Sequence, residues 1–302
     1  MISAPKPAWL RKRLPPPGDS AVVRAALQGH GLHTVCVEAK CPNQMECFGR
    51  GTATFLLLGP HCTRKCTFCA VGKSEVQPVN PGEPEAVSQT VARLGLDFCV
   101  LTMVTRDDLP DGGADHVAKT MAAIRRRVPG LGIEVLISDL GGNWGALNGL
   151  LAARPEVLNH NVETVSRLYA KVRPQADYRR SLELLSRASS HNPPVVTKSG
   201  IMLGLGEKRE ELLSALRDIR DAGCKLLTLG QYLAPSERHH PVVRYVPPEE
   251  FGEYEDLAKA LGFEAVASSP FVRSSYHAGW LYRQACSGAG QPGQPAGGGV
   301  VR

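Results

Sequence analysis

The chain has 302 residues, 43% of them hydrophobic, and a formal net charge of +6. That length suits one large barrel of β/α units, and a modest charge with no long like-charged block argues against a nucleic-acid binder. No apolar run reaches the ~18–20 residues of a membrane span, and the N-terminus has no apolar signal core, so the expectation is a cytoplasmic protein with no membrane partner.

Residues 1–50 read as an irregular, Pro-rich extension with one helix near Ser20–Gly29, and the run Arg11-Lys12-Arg13 as a solvated arm. From residue 51 apolar, β-rich runs alternate with amphipathic stretches, the pattern of a parallel sheet with crossover helices. The expected strands are Thr54–Leu58, Phe98–Thr102, Ile133–Ile137, Val157–His160, Val195–Met202, Leu226–Leu229 and Glu264–Ala267. The expected helices are Glu83–Leu94, His116–Arg127, Leu182–Ser190, Arg209–Ala222 and Pro248–Leu261. These give six or seven β/α units over 51–270, a partial (β/α)6-type TIM barrel with N- and C-terminal extensions. Functional loops then follow the C-terminal ends of the strands. A C-terminal segment spans 271–286, and the Gly/Pro/Gln-rich tail 287–302 reads as disordered.

Six of the nine cysteines lie between Cys36 and Cys69. Clusters of this kind in a reducing compartment read as metal ligands. Cys99 and Cys224 sit in apolar runs and read as small buried hydrophobes, and Cys286 lies in the C-terminal segment. Cys62, Cys66 and Cys69, in "CTRKCTFC", follow the first expected strand with C-x3-C-x2-C spacing and Phe68 before the last cysteine. Three thiolates can hold three irons of a [4Fe–4S] cube and leave the fourth open for a small molecule. A tetrahedral zinc would need a fourth donor, and His61 is badly placed for it. Cys36, Cys41 and Cys47 form a second set, C-x4-C-x5-C. It reads either as a structural knuckle or as a second cube.

The C-x3-C-x-aromatic-C motif resembles the signature of radical S-adenosylmethionine enzymes. The resemblance implies that S-adenosylmethionine is the missing ligand of the open iron. It also implies that the reduced cube cleaves S-adenosylmethionine to methionine and a 5′-deoxyadenosyl radical able to attack an unactivated C–H bond. "GIMLGLGE" (200–207) resembles the family's GxIxGxxE stretch, with Met202 at the Ile position and Gly204 at the second glycine. "DGGAD" (111–115) resembles a GGE-type motif through Gly112 and Gly113, with Ala114 in place of the acid.

Both triplets in this order, with "VRSSYHAG" (272–279) near the C-terminus, resemble the lipoyl synthase family over residues 6–283. "PEVLNHNVET", "TRDDLPDGGA" and "LTLGQYLAPS" are similar to that family too. The resemblance implies two [4Fe–4S] clusters, the auxiliary one held by Cys36, Cys41, Cys47 and a serine. By position the serine is Ser275, with Ser274 one residue away. A serine oxygen is harder than thiolate and easier to displace from iron, which suits a cluster that is consumed. Arg273 neutralises charge there, guards the cavity, or makes a surface salt bridge.

The candidate catalytic set is thus Cys62, Cys66, Cys69, Arg273 and Ser275. Cofactor contacts are expected from Phe68, Gly112, Gly113, Asn161, Glu163, Lys198, Met202 and Gly204. Asn161 and Glu163 read otherwise as helix caps. Lys198 lies in an apolar strand, where burial demands a carboxylate or a substrate group. Asn159 belongs to the same polar group, and His239-His240 reads as a surface loop.

The implied reaction inserts two sulfur atoms at C6 and C8 of an octanoyl chain on a carrier lysine. The implied partners are octanoylated 2-oxo acid dehydrogenase subunits or a glycine-cleavage H protein, a ferredoxin or flavodoxin reductant, and an iron–sulfur repair or carrier protein. A biotin-synthase-like sulfur insertion and a non-enzymatic iron–sulfur carrier are the alternatives.

Overall fold

The computed structural model describes residues 5–12 and 20–287. Of the expected disordered tail, all but Ser287 lies outside the described residues. Helix α1 (Ser20–Gln28) precedes a two-residue strand β1 (His33–Thr34) and two short helices, α2 (Val35–Glu38) and α3 (Gln44–Gly49). The sequence expectation for this region held only α1.

Then the alternation starts: β2 (Thr54–Leu57), α4 (Glu83–Leu94), β3 (Phe98–Met103), α5 (Ala114–Arg127), β4 (Gly132–Leu136), α6 (Trp144–Ala152) and β5 (Val157–Asn159). It continues with α7 (Tyr169–Val172), α8 (Tyr178–Ser189), β6 (Val196–Leu203), α9 (Arg209–Asp221), β7 (Leu226–Gln231), α10 (Pro248–Ala260), β8 (Ala265–Ser268) and α11 (Ala278–Cys286). Each of β2 to β7 is followed by helix, so six β/α units end on a seventh parallel strand. The sheet runs in order β1 to β8, with β1 antiparallel on β2 and every later pair parallel. Among the described residues β8 does not pair back to β1, so the barrel is open along one seam.

The strands are largely apolar because both faces are covered, by helices outside and by barrel-filling side chains inside, and their few polar residues are buried with them. β2, β3 and β7 are buried at every position. Helix starts follow their caps: Asp177 accepts from Arg180 N at 2.7 Å, which sets α8 starting four residues before the expected Leu182. Asn143 accepts from Ala146 N at 3.0 Å and starts α6. That helix, "WGALNGLLA", is apolar nearly all round and shows little helical period to read.

One end of the barrel is plugged. Ala278 and Leu281 of α11 pack with Phe98, Val100, Val157, Leu226 and Ala265, residues at or near the N-terminal ends of the strands. A Cβ on Gly279 would come 2.8 Å from the Phe98 side chain, so glycine lets the helix approach. Fully burying such apolar side chains contributes ~1.5–3 kcal/mol each. The other end stays open and carries the loops. Among the described residues no helix is long and apolar enough to cross a membrane.

Candidate active site

A cavity of about 770 Å³ opens at the C-terminal ends of the strands and runs into the barrel. All six clustered cysteines, Cys36, Cys41, Cys47, Cys62, Cys66 and Cys69, line it, and none is in a disulfide. Phe68, Asn161, Glu163, Met202, Arg273, Ser274 and Ser275 line it as well. The fold thus brings together two cysteine sets and a serine segment more than 200 residues away in the chain.

The Cys62–Cys69 loop is tied down by its neighbours at the barrel mouth. Cys62 N donates to Gly72 O at 2.8 Å, Thr63 N to Thr105 O at 3.1 Å, and Thr67 N to Val172 O at 2.9 Å. Arg64 is buried and bonds Asp107 at 2.8 Å and Asp139 at 2.6 Å. In the other triplet Cys36 lies on α2, Cys47 on α3 and Cys41 in the turn between them. Thr34 caps α2, and Cys41 N donates to Cys36 O at 3.1 Å. Asn43 donates through Nδ2 to Phe271 O at 2.7 Å, across the open seam.

Among the described residues no three His, Cys, Asp or Glu side chains converge as a single metal ion requires. The donor set instead suits a larger body: two sets of three thiols line one cavity, each set short of a fourth. Burial pushes the Cys36 thiol up to about 11 and the Cys47 and Cys69 thiols up to about 12. Cys66 rises the same way, opposed by the nearby Arg173 cation. Thiols that hold their protons would give them up to solvent on binding iron as thiolates, so loading either set would release protons.

The polar floor also fits an amino-acid ligand. Asn161 Nδ2 donates to Glu163 at 3.1 Å, while Asn161 Oδ1 is buried without a partner among the described residues. A Cβ on Gly200 would sit 2.9 Å from that oxygen, so the glycine keeps room beside it. Asn161 and Glu163 are not helix caps: Glu163 has φ +69° and bridges to Ile201 of β6. Burial raises its carboxyl, against Arg173 and the bond from Asn161.

Two lining residues escaped the sequence reading. Arg173 donates through Nη1 to Asn161 O at 3.0 Å and to Tyr169 Oη at 3.1 Å, and its buried Nε has no partner among the described residues. His160 Nδ1 lies 2.9 Å from Ile137 O; a carbonyl only accepts, so Nδ1 carries the proton and Nε2, also unpartnered, is an acceptor. Burial, with Arg173 nearby, brings this imidazole down to about 4. Neither residue carries a local pattern that marks it, since its role rests on the direction its side chain takes in the fold.

Other expectations are corrected. Lys198 is fully buried, and its Nζ bonds both oxygens of an equally buried Glu134 at 2.9 Å. Asn159 donates to the same carboxylate at 2.8 Å. Lys198 therefore has its carboxylate inside the barrel, outside the cavity lining, and is not placed to touch a cofactor. Gly112, Gly113 and Gly204 do not line the cavity either. Gly113 has φ +92° and a Cβ there would strike Leu58 at 2.3 Å; Gly204 has φ +97° and faces Arg244 O. Both are glycine for backbone shape and close packing. His240 is buried rather than on a surface loop, with Nε2 3.0 Å from Leu205 O. Arg273 makes no ion pair among the described residues; it donates to Val272 O at 2.6 Å and has Cys41 as its charge neighbour. Cys99 and Cys224 are fully buried, as expected.

The family profile of the radical SAM superfamily matches residues 56–219. A lipoyl synthase of Desulfotalea psychrophila is 54% identical over 280 residues, covering 93% of this chain and 94% of that one. A lipoyl synthase of Methylococcus capsulatus is 54% identical, covering 90% and 85%. Among solved structures, HydG, a maturase of the [FeFe]-hydrogenase, superposes with TM-score 0.56 at 14% identity, over 70% of this chain and 50% of that chain. SuiB of Streptococcus suis bound to S-adenosylmethionine gives 0.53 at 10% identity, over 68% and 45%. Methylornithine synthase gives 0.50 at 16% identity, over 75% of this chain and 63% of that one. These three share the fold, an incomplete barrel. On the sequence relationships, both cysteine triplets and the open barrel, the chain belongs to the lipoyl synthase family of the radical SAM superfamily.

Proposed function

We propose that this chain is a cytoplasmic enzyme that inserts two sulfur atoms at C6 and C8 of an octanoyl chain carried on a lysine of a protein domain. The observation that carries the reading is that both cysteine triplets face one cavity. A substrate carbon held there lies between a radical source and a sulfur source.

Cys62, Cys66 and Cys69 would hold the radical cube, which when reduced supplies the electron that cleaves S-adenosylmethionine to a radical able to take hydrogen from carbon. Cys36, Cys41, Cys47 and Ser275 would hold the auxiliary cube, which supplies the two sulfur atoms. The protein's own work is placement. Asn161 Oδ1 offers an acceptor to an ammonium group, and Arg173 offers a donor and a positive charge to a carboxylate. Phe68 and Met202 supply apolar wall. Leu56, Val71, Val100 and Val272 make an apolar slot suited to an alkyl chain. Arg273, half-buried beside Cys41 and without an acid partner among the described residues, would offset the negative charge of a thiolate-bound cluster. The open seam between β8 and β1 admits a lysyl arm.

The partners in this reading are octanoylated carrier domains, either 2-oxo acid dehydrogenase subunits or a glycine-cleavage H protein. A ferredoxin or flavodoxin supplies electrons, and an iron–sulfur carrier rebuilds the consumed cluster.

The test is anaerobic reconstitution with iron and sulfide, then dithionite, S-adenosylmethionine and an octanoyl-lysyl peptide. The expected result is lipoyl peptide limited to about one per chain, with two 5′-deoxyadenosines per lipoyl group. Formation of 5′-deoxyadenosine with no change in peptide mass would overturn the substrate assignment and favour a small soluble acceptor.

A further inference from the structure

The segment that carries Ser275 has its own attachment to the Cys36–Cys47 motif, made by side chains that are not iron ligands. Glu46, one residue before Cys47, accepts a hydrogen bond from Tyr276 Oη at 2.7 Å. It also forms ion pairs with Lys12 and, at 3.2 Å, with Arg50. Lys12 in turn donates to Asn43 Oδ1 at 2.9 Å and lies 5.2 Å from the centre of the Phe271 ring. Arg50 Nη1 lies 3.2 Å from His277 Nε2. Three parts of the chain, the N-terminal arm, the α3 region and the segment 271–277, thus meet on one carboxylate.

The backbone of that segment enters the left-handed region at His277, the residue before α11. His277 has φ +52°, a left-handed conformation that side chains other than glycine seldom adopt, and its ring packs edge-on against Tyr276 at 4.1 Å. Such a conformation persists only where its surroundings over-determine it. In the functional reading above a bond from Ser275 to iron would be one restraint, lost when the cluster is consumed. The bonds at Glu46 are made by side chains outside the ligand set and do not depend on it.

We propose that Glu46 and Tyr276 form a latch that holds the Ser275 segment over the Cys36–Cys41–Cys47 triplet independently of any bond between serine and iron. This rests on the functional reading above and adds to it a positioning role for two residues outside the ligand set. With the latch closed, Ser275 can leave and return without the segment undocking, so a rebuilt cluster meets a site already shaped.

The variants are Tyr276→Phe, Glu46→Ala and Glu46→Gln in the full chain, the last keeping an acceptor for the tyrosine hydroxyl. Amide hydrogen exchange across 271–277 is measured on iron-free protein, and Mössbauer spectra are recorded after reconstitution with iron-57. Losing a hydrogen bond to a charged acceptor is expected to speed exchange in this segment by about tenfold or more in Tyr276→Phe and Glu46→Ala, with Glu46→Gln, which keeps an acceptor for Tyr276 but loses the ion pairs to Lys12 and Arg50, between these and wild type. The same two variants should show an altered auxiliary-cube spectrum, while the other cube and 5′-deoxyadenosine formation are retained. Unchanged exchange in Tyr276→Phe and Glu46→Ala overturns the latch. Faster exchange with a wild-type auxiliary spectrum overturns its positioning role. A wild-type chain that takes up only one cube overturns the functional reading instead, and the exchange data still decide whether the segment is latched.

Discussion

The two cysteine sets share a cavity but are supported in opposite ways. Cys62, Cys66 and Cys69 sit on a loop stitched by backbone hydrogen bonds to the loops after β3, β5 and β7, with buried Arg64 pinned between two aspartates. Everything that shapes that set belongs to the barrel. Cys36, Cys41 and Cys47 sit on two short helices and the turn between them, before the barrel, and their last neighbour, Ser275, arrives from the opposite end of the chain through side-chain bonds at Asn43 and Glu46. The first arrangement is rigid and suits a cluster that is kept. The second is closed from outside and suits a cluster that is opened and rebuilt.

That contrast breaks most sharply by removing one cysteine from each set. Cys69→Ala should abolish both 5′-deoxyadenosine and lipoyl product. Cys47→Ala should abolish only the product and leave 5′-deoxyadenosine forming, as assayed by chromatography and peptide mass. If Cys47→Ala silences both, the two sets do not have separate tasks.

The barrel's rigidity rests partly on the buried Lys198–Glu134 pair. Lys198→Met leaves buried Glu134 without its cation, and should cost about 3–5 kcal/mol in urea unfolding. Pairing it with Glu134→Leu should recover most of that loss, with Asn159 the remaining unsatisfied group. A Lys198→Met chain of normal stability that binds S-adenosylmethionine weakly would return Lys198 to the cavity.

His160 gives a smaller, pH-dependent effect. Its folded value, about 4, lies below the ordinary 6.5. The unfolded chain therefore binds the extra proton between those values, and stability falls as pH drops through that window. Between pH 7 and pH 5 the loss amounts to about 2 kcal/mol, and His160→Gln should lack it. Urea unfolding of the iron-free chain at the two pH values measures the difference.

The barrel was legible because its strands are continuous apolar runs and its long helices carry a clear polar face. All seven parallel strands were found within one or two residues. What escaped is short, aperiodic or outside the β/α repeat: two-residue β1, the short helices α2, α3 and α7, α6 with its nearly uniform apolar surface, and α11, which follows the last strand. The cysteines, Phe68 and the Ser275 region were legible as spacing, and the cavity gathers them. Lys198 was legible as a buried charge in need of a partner, but the partner lies 64 residues earlier on another strand. Gly113 and Gly204 looked like ligand-binding glycines because close backbone packing asks for the same residue. Arg173 and the Glu46–Tyr276 bond depend on which way side chains turn after long excursions of the chain, which no local pattern encodes.

The most direct test of the account labels the sulfur. The chain is reconstituted with sulfide enriched in sulfur-34, freed of excess sulfide, and run for a single turnover on the octanoyl peptide in sulfur of natural abundance. The account predicts a lipoyl peptide carrying two heavy sulfur atoms, with the auxiliary cube lost from the Mössbauer spectrum and the Cys62–Cys66–Cys69 cube intact. Product carrying natural-abundance sulfur, formed while both cubes survive, would contradict it.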